Sequence, residues 1–202
     1  MIPPIFSLIG SLIIRPKLAF KMVLVERRGI GQAFLVLLIS HLGLSGSVAM
    51  ALSSILSMFA YFVPQLRWLA HLIVGGVVVV LVPIFIIIWL ITMLLTYALA
   101  RAFGGEGDLE STAVVMAFSE VVAFIPVLFA LPALFSSLIG LLIYILGLII
   151  WAIWNIVLKS IGISEAHNLS IGKSVAAVLL THFILIVIPL IIFLPLMVIW
   201  GV

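Results

Sequence analysis

Residues 72–99, "LIVGGVVVVLVPIFIIIWLITMLLTYAL", run for 28 positions without a charged side chain. A helix that crosses the hydrocarbon core of a bilayer needs about 20 mostly apolar residues, so this stretch is long enough to span with a turn or two to spare. The rest of the chain has the same character. Of its 202 residues 67% are hydrophobic and 7% charged, where soluble domains carry roughly 25% charge to keep their surfaces wetted. Most of the surface must therefore be solvated by lipid, and the chain reads as an all-α integral membrane protein.

Charges and turn residues divide the chain into five spans, near 31–56, 72–99, 113–134, 137–158 and 174–200. The charge-free stretch before the second span is longer than one crossing needs, so it reads as a span followed by a partly interfacial segment ending in "YFVPQLRW" (61–68). The connection "LPALFSS" (131–137) carries no charge and is short, which predicts a tight hairpin of the third and fourth spans. Small residues in "GLSGSVAMALSS" (43–54), notably Gly43, Gly46, Ser47 and Ala51, permit close helix approach, within the chain or between copies.

Lys and Arg in short loops set orientation. With the N-terminus inside, Arg15, Lys17, Lys21, Arg27, Arg28, Arg101, Lys159 and Lys173 fall on the cytoplasmic side and Arg67 alone outside. Five spans then place the C-terminus outside. Tyr61, Trp68 and Trp200 are expected at the outer interface, and Tyr97, Trp151 and Trp154 toward the inner one.

The first thirty residues form a separate cytoplasmic interfacial segment (1–30) ahead of the five-span domain (31–202). "IFSLIGSLII" (5–14) is too short to cross. Pro16 suits the first turn of a helix, where its missing N–H costs nothing. From there Leu18, Met22 and Val25 can face lipid, while Arg15, Lys17, Lys21, Arg27 and Arg28 meet water and anionic headgroups, as in a helix lying on a membrane surface. Charges that merely set topology would produce the same pattern.

Half of the six carboxylates sit in "FGGEGDLEST" (103–112), which contains the Gly-x-Gly-Asp string of intramembrane aspartyl proteases. Such chemistry needs two aspartates sharing a proton, and Asp108 is the one aspartate in the chain. A phosphate cradle would want a basic partner, whereas the neighbours here are acidic. A divalent-cation site on Glu106, Asp108 and Glu110 is chemically conceivable but lacks a calcium-loop spacing. Punctuation accounts for the loop better. Gly104 and Gly105 close the second span, Asp108 caps the third, and Glu110 favours its N-terminal dipole. The absence of cysteine excludes disulfides and thiol chemistry. No H-E-x-x-H or G-x-S-x-G occurs, so neither an enzyme nor a metal or cofactor is expected.

Polar side chains inside spans are expensive and mark candidate sites. Glu120 lies roughly 10 Å below the cytoplasmic end of the third span at 1.5 Å per residue. His182 and Thr92 fall at similar depth, His41 somewhat deeper and Asn155 shallower. They could converge on one layer, with Glu120 and His182 as its expected pair. An interhelical hydrogen-bond lock and a proton or ion site both fit such a layer. The strings "FIPVLFALPALF" (124–135) and "VIPLIIFLPLMV" (187–198) share a P-x5-P spacing, a faint internal repeat.

"ARAFGGEGDLESTAVVMAFSEVVAFIP" (100–126) resembles the signature of the Yip family, the Ypt/Rab-interacting membrane proteins: a phenylalanine and two glycines, a small polar turn, a helix, then proline. "VLKSIGISEAHNLSIGKSVAAVLL" (157–180) is similar to the family's second segment, with Ser170 and Gly172 before Lys173. "IIRPKLAFKMV" (13–23) resembles the surface segment that opens many prokaryotic members. The resemblance implicates Phe103, Gly104, Gly105, Gly107, Asp108, Ser170, Gly172 and Lys173 as family-motif positions. It implies five spans and a non-enzymatic role in organising or shaping membrane, with a small transporter or channel built on Glu120 and His182 as the alternative. Eukaryotic members carry a long hydrophilic N-terminal region that this sequence lacks. The expected setting is thus the cytoplasmic membrane of a prokaryote. The expected partners are the bilayer with its anionic headgroups, further copies or other membrane proteins, and no nucleic acid.

Overall fold

A computed structural model describes residues 5–26, 29–63, 66–135 and 138–200. Its elements are helical throughout, with no strand among the described residues: α1 (Ile5–Ile14), α2 (Pro16–Val25), α3 (Ile30–Ala60), α4 (Leu66–Ala102), α5 (Leu109–Ser119), α6 (Phe124–Ala130), α7 (Leu138–His167) and α8 (Ile171–Trp200). Two 3-10 segments, Glu120–Ala123 and Leu131–Phe135, flank α6.

Five helical units are long and apolar enough to cross a membrane: Ile30–Ala60, Gly75–Ala102, Leu109–Phe135, Leu138–His167 and Ile171–Ile191. Each of the five expected spans is present, and several run further. The first stays helical to Ala60, so no separate segment forms before the turn at 61–63. The fourth continues to His167, nine residues past its expected end. The α4–α5 loop, the α7–α8 turn and the α1–α2 pair share one end of the bundle, here termed the basic end.

The third span is the hub. Over an 18-residue window 67% of it is buried, against 50% of the first span, 11% of the second and 22% of the fourth and fifth. Its run of small side chains, Ala113, Ala117, Ser119 and Ala123, lets α3 and α7 approach closely. In lipid this matters more than apolarity, because tails solvate Leu as well as a neighbouring helix does. A β-carbon on Gly140 would collide with Pro132 O, and one on Gly147 with Phe129, so these glycines make the expected hairpin of the third and fourth spans tight. Gly43 packs on Val127, while Ser47 and Ala51 are buried on the same side of α3.

The third span is not one continuous α-helix, as its sequence reading assumed. Pro126 offers no N–H, and its ring crowds the carbonyl four residues back. The 3-10 turn Glu120–Ala123 relieves that crowding, because it uses the tighter i→i+3 pattern. Pro132 lies in the first turn of the second 3-10 segment, whereas α8 passes through Pro189 and Pro195 unbroken. The shared P-x5-P spacing therefore has no shared structural outcome.

The N-terminal segment does not stand apart. Pro16 opens α2, with Arg15 at its cap. Leu8 and Leu12 of α1 and Ala19, Phe20 and Val23 of α2 are fully buried in the main core with Val115, Phe118 and Leu158. Phe20 seats against the bare backbone of Gly162. At about 100° per residue α2 has three faces: Ala19, Phe20 and Val23 inward, Lys17 and Lys21 to one side, and Leu18, Met22 and Val25 outward.

Candidate functional site

Glu120 sits where α5 gives way to the 3-10 turn, and this break aims its carboxylate at α7. Lys159 Nζ lies 2.8 Å from Oε1, and Asn155 Nδ2 donates to Oε2 at 3.1 Å. Lys159 and Asn155 are four residues apart, hence on one face of α7. All three are at least 94% buried. A buried ion pair is tolerable only where the attraction is close and the remaining lone pairs are satisfied. Here Asn155 supplies the second donor.

The partner of Glu120 is thus Lys159, not His182 as the sequence suggested. Lys159 reads from sequence as a cytoplasmic loop charge. It is instead inside α7, because that helix continues to His167.

The other expected members do gather here. His41, Thr92, Glu120, Asn155, Lys159 and His182 all line one cavity of about 410 Å³ between α3, α4, α7 and α8. Glu120 is eleven residues from Leu109, His41 eleven from Ile30, His182 eleven from Ile171, and Thr92 ten from Ala102. At 1.5 Å per residue the layer lies roughly 16 Å below the basic end. Thr92 donates to Ile88 O of its own helix at 2.7 Å. His41 Nδ1 donates to Leu37 O at 2.8 Å and His182 Nδ1 to Val178 O at 2.7 Å. A carbonyl can only accept, so each ring carries its proton on Nδ1 and offers Nε2 as an acceptor when neutral.

Trp89 and Trp151 line the same cavity, and their indole N–H groups are buried without a protein partner. Trp151 and Trp154 were expected at an interface; both pack against the core instead. A lock between Thr96 and Thr181, 3.1 Å apart and fully buried, joins α4 to α8 and is not apparent from the sequence. Its only signal was a hydroxyl side chain within each of two apolar runs.

The motif loops form a second assembly, at the basic end. Gly104 has φ +89°, a left-handed conformation cheap only for glycine. Its N–H reaches Arg101 O and that of Gly105 reaches Ala100 O, the paired bonds of a Schellman stop. Asn168, at φ 53°, ends α7 in the same manner, with Leu169 N–H on Ser164 O. Asp108 caps α5, its carboxylate accepting from Ser111 N at 2.7 Å. That backbone bond, with the Ser111 side chain second, holds the Asp108 carboxyl below the usual carboxylate value. The carboxylate is therefore engaged in capping, which weakens the divalent-cation reading.

The two turns interlock. Glu106 N–H donates to His167 O at 3.1 Å, Lys173 Nζ to Phe103 O at 2.9 Å, and Arg101 to Gly105 O at 3.1 Å. A β-carbon on Gly105 would sit 2.8 Å from the His167 ring, and one on Gly107 would strike Ala166 O. Thr112 Oγ1 donates to Asp108 O and lies 2.8 Å from His167 Nε2, so Nε2 carries the imidazole proton. Gly172 has open space around it, and Ser170 O accepts from Ser174 at the start of α8.

A family model of the Yip1 domain matches residues 9–194. The chain belongs to the Yip1-domain family. Comparison with curated proteins and with solved structures finds no match. The Yip1-domain match takes in both interlocking turns, the polar layer and most of the α1–α2 pair, so these are parts of one domain.

Of the residues expected at lipid headgroups, Arg15 is exposed. Lys17 and Lys21 lie 3.7 and 3.8 Å from Glu165 of α7 with their side chains 70% and 57% exposed. Arg27 and Arg28 lie outside the described residues, as do the side chains of Arg67, Trp68 and Trp200.

Proposed function

We propose that this Yip1-domain protein is a non-enzymatic membrane organiser that acts by wedging one leaflet. The observation that carries the reading is the α1–α2 pair. Its inner face is locked into the core through Leu8, Leu12 and Phe20, while Ile14, Leu18 and Val25 are 78%, 56% and 82% exposed on its outer face. An apolar face flanked by lysines belongs at the headgroup–acyl boundary, buried about 5–10 Å. Because the pair sits at one end of the bundle only, it adds area to one leaflet. Glu165, held near both lysines, and the Phe20–Gly162 contact keep the wedge from swinging away. The positive-inside count assigns that leaflet to the cytoplasmic side, and exposed Arg15, Lys17 and Lys21 favour anionic headgroups there.

The reading is checked by reconstitution into liposomes. The wild-type protein is expected to narrow or tubulate the vesicles, and Leu18→Asp with Val25→Asp to restore the protein-free diameter. Vesicles unchanged by the wild-type protein would sink the proposal.

Passage of a proton or ion through the polar layer is the second reading, favoured by an intramembrane charge pair beside a cavity. Glu120 spends both oxygens on Lys159 and Asn155, which supports a structural lock over a path. A flux that Glu120→Gln abolishes in a stably folded protein would reverse this preference.

A further inference from the structure

We infer that His167 is a proton-operated latch: its neutral ring holds the α4–α5 turn against the α7–α8 turn, and protonation of the ring parts them. The inference is independent of the wedge reading, since it rests on the two motif turns and not on α1 or α2. It begins with the unequal placing of the two ring nitrogens. The ring is fully buried. Thr112 Oγ1 has a single hydrogen and gives it to Asp108 O, 2.7 Å away. Nε2, 2.8 Å from the same Oγ1, must therefore be the donor in that contact. This fixes the tautomer and leaves Nδ1 as a bare acceptor, buried and without a partner.

Buried polar atoms are nearly always satisfied, and an exception asks for an explanation. What fills the space beside Nδ1 supplies one. A β-carbon on Gly105 would lie 2.8 Å from Nδ1, and one on Gly107 would lie 2.9 Å from Cγ of the same ring. The ring is thus packed against the bare backbone of the motif loop, and a Cα hydrogen of Gly105 occupies the place an acceptor would need. A neutral ring tolerates this at the cost of one unused lone pair. An imidazolium does not, because its second N–H meets a C–H with no acceptor and no room for water. An unpaired buried charge costs far more than an unpaired lone pair. Nδ1 gains a partner only if Gly105 withdraws.

Withdrawal undoes the seam, because the bonds between the turns are concentrated on the neighbours of Gly105. Glu106 N–H reaches His167 O at 3.1 Å and Lys173 Nζ reaches Phe103 O at 2.9 Å. The charges around the ring do not offset the missing acceptor. From α4 come the Arg101 guanidinium and the Tyr97 ring, whose centroid is 5.9 Å from that of His167. Glu106 and Asp108 come from the α4–α5 turn, Glu110 from α5 and Lys173 from α8. Glu165 of α7 faces Lys17 and Lys21 instead. Arg101 opposes a proton on the ring more strongly than Asp108 favours it, and the Asp108 carboxylate is already engaged by Ser111 N–H. Arg101, Glu106, Asp108 and Lys173 are exposed, so aqueous protons reach the seam whenever the turns part.

Hydrogen exchange of the full-length protein in bicelles tests this, read by mass spectrometry on peptides around 103–112 and 165–174 and corrected for the intrinsic pH dependence of exchange. A site that refuses the proton weakens about tenfold for each pH unit below the ordinary imidazole value near 6.5, and is at full strength above it. Protection of both turns should therefore fall together by about tenfold between about pH 7.5 and pH 5.5, while that of mid-α3 stays constant. His167→Gln keeps a donor at the Nε2 position and cannot take up a proton. Its turns should exchange equally at both pH values, whatever their absolute protection. If that variant fails to fold, ring-nitrogen NMR shifts of His167 in the wild-type protein still decide. They should report the Nε2–H tautomer at the higher pH and gain the second proton in step with the loss of protection. A wild-type protein without the pH response, the same response in His167→Gln (the mark of another histidine), or a protonated His167 with both turns still closed would each overturn the inference.

Discussion

At the scale of single residues, Lys159 carries the most consequence. Removing one partner of a buried ion pair leaves an uncompensated charge and costs about 3–5 kcal/mol, whereas replacing both by apolar groups is often neutral or better. Lys159→Met is therefore expected to lower unfolding stability by that order in detergent or bicelle denaturation. Adding Glu120→Leu to it should recover most of the loss. A single-variant cost as small as that of the pair would show that the charges are independent. Gly107→Ala forces a β-carbon onto Ala166 O, and overpacking of this kind costs about 1–3 kcal/mol.

Asp108→Ala removes an N-cap, a loss of about 1 kcal/mol. Because the folded Asp108 carboxyl titrates below its ordinary value, its contribution is complete above the unfolded value near 3.9 and fades as pH falls through the folded one. Acid titration of stability should thus show a shallower fall in Asp108→Asn than in the wild-type protein.

The sequence made Glu120, Asn155, His41, Thr92 and His182 legible as one layer, because polar residues within apolar runs stand out. Lys159 was illegible for the opposite reason. A basic residue near the end of an apolar run looks like a topological marker, and only the continuation of α7 to His167 buries it.

At the scale of elements, α2 was half legible. Leu18, Met22 and Val25 announced an outward apolar face, but Ala19, Phe20 and Val23 form a second one whose role depends on Gly162 and Val115, distant in sequence. Periodicity reports faces and cannot say which covers protein. Phe20→Ala should cost about 3–5 kcal/mol, the usual loss for a buried aromatic. It should also raise amide exchange across α2 by a comparable factor. Glu165→Gln, whose carboxylate among the described residues pairs with exposed lysines at 3.7 and 3.8 Å, should change stability by less than about 1 kcal/mol. The break in the third span escaped notice because proline is tolerated in membrane helices. Whether it kinks a helix, as at Pro126, or leaves it unbroken, as at Pro189, depends on neighbours that a linear sequence does not reveal.

At the scale of the whole molecule, the five spans were legible because apolar length is a one-dimensional property. Which span would be central was not, since lipid and protein interiors are equally apolar. Small residues in the third span were the cue. A cytoplasmic basic end is what the charge count predicts, and a chain without cysteine suits single-cysteine mapping. A cysteine replacing Glu106 should react with a membrane-impermeant maleimide only from the cytoplasmic side, and one replacing Phe62 only from the outside. The same approach reaches the central claim, that the α1–α2 pair lies in one leaflet as a clamped wedge. Spin labels at positions 17, 18, 21 and 25 of the reconstituted protein would be read for collisions with oxygen and with a water-soluble nickel chelate. Labels at 18 and 25 should favour oxygen, at a depth of about 5–10 Å, and those at 17 and 21 should favour the chelate. Equal access of the chelate to all four positions would contradict the account.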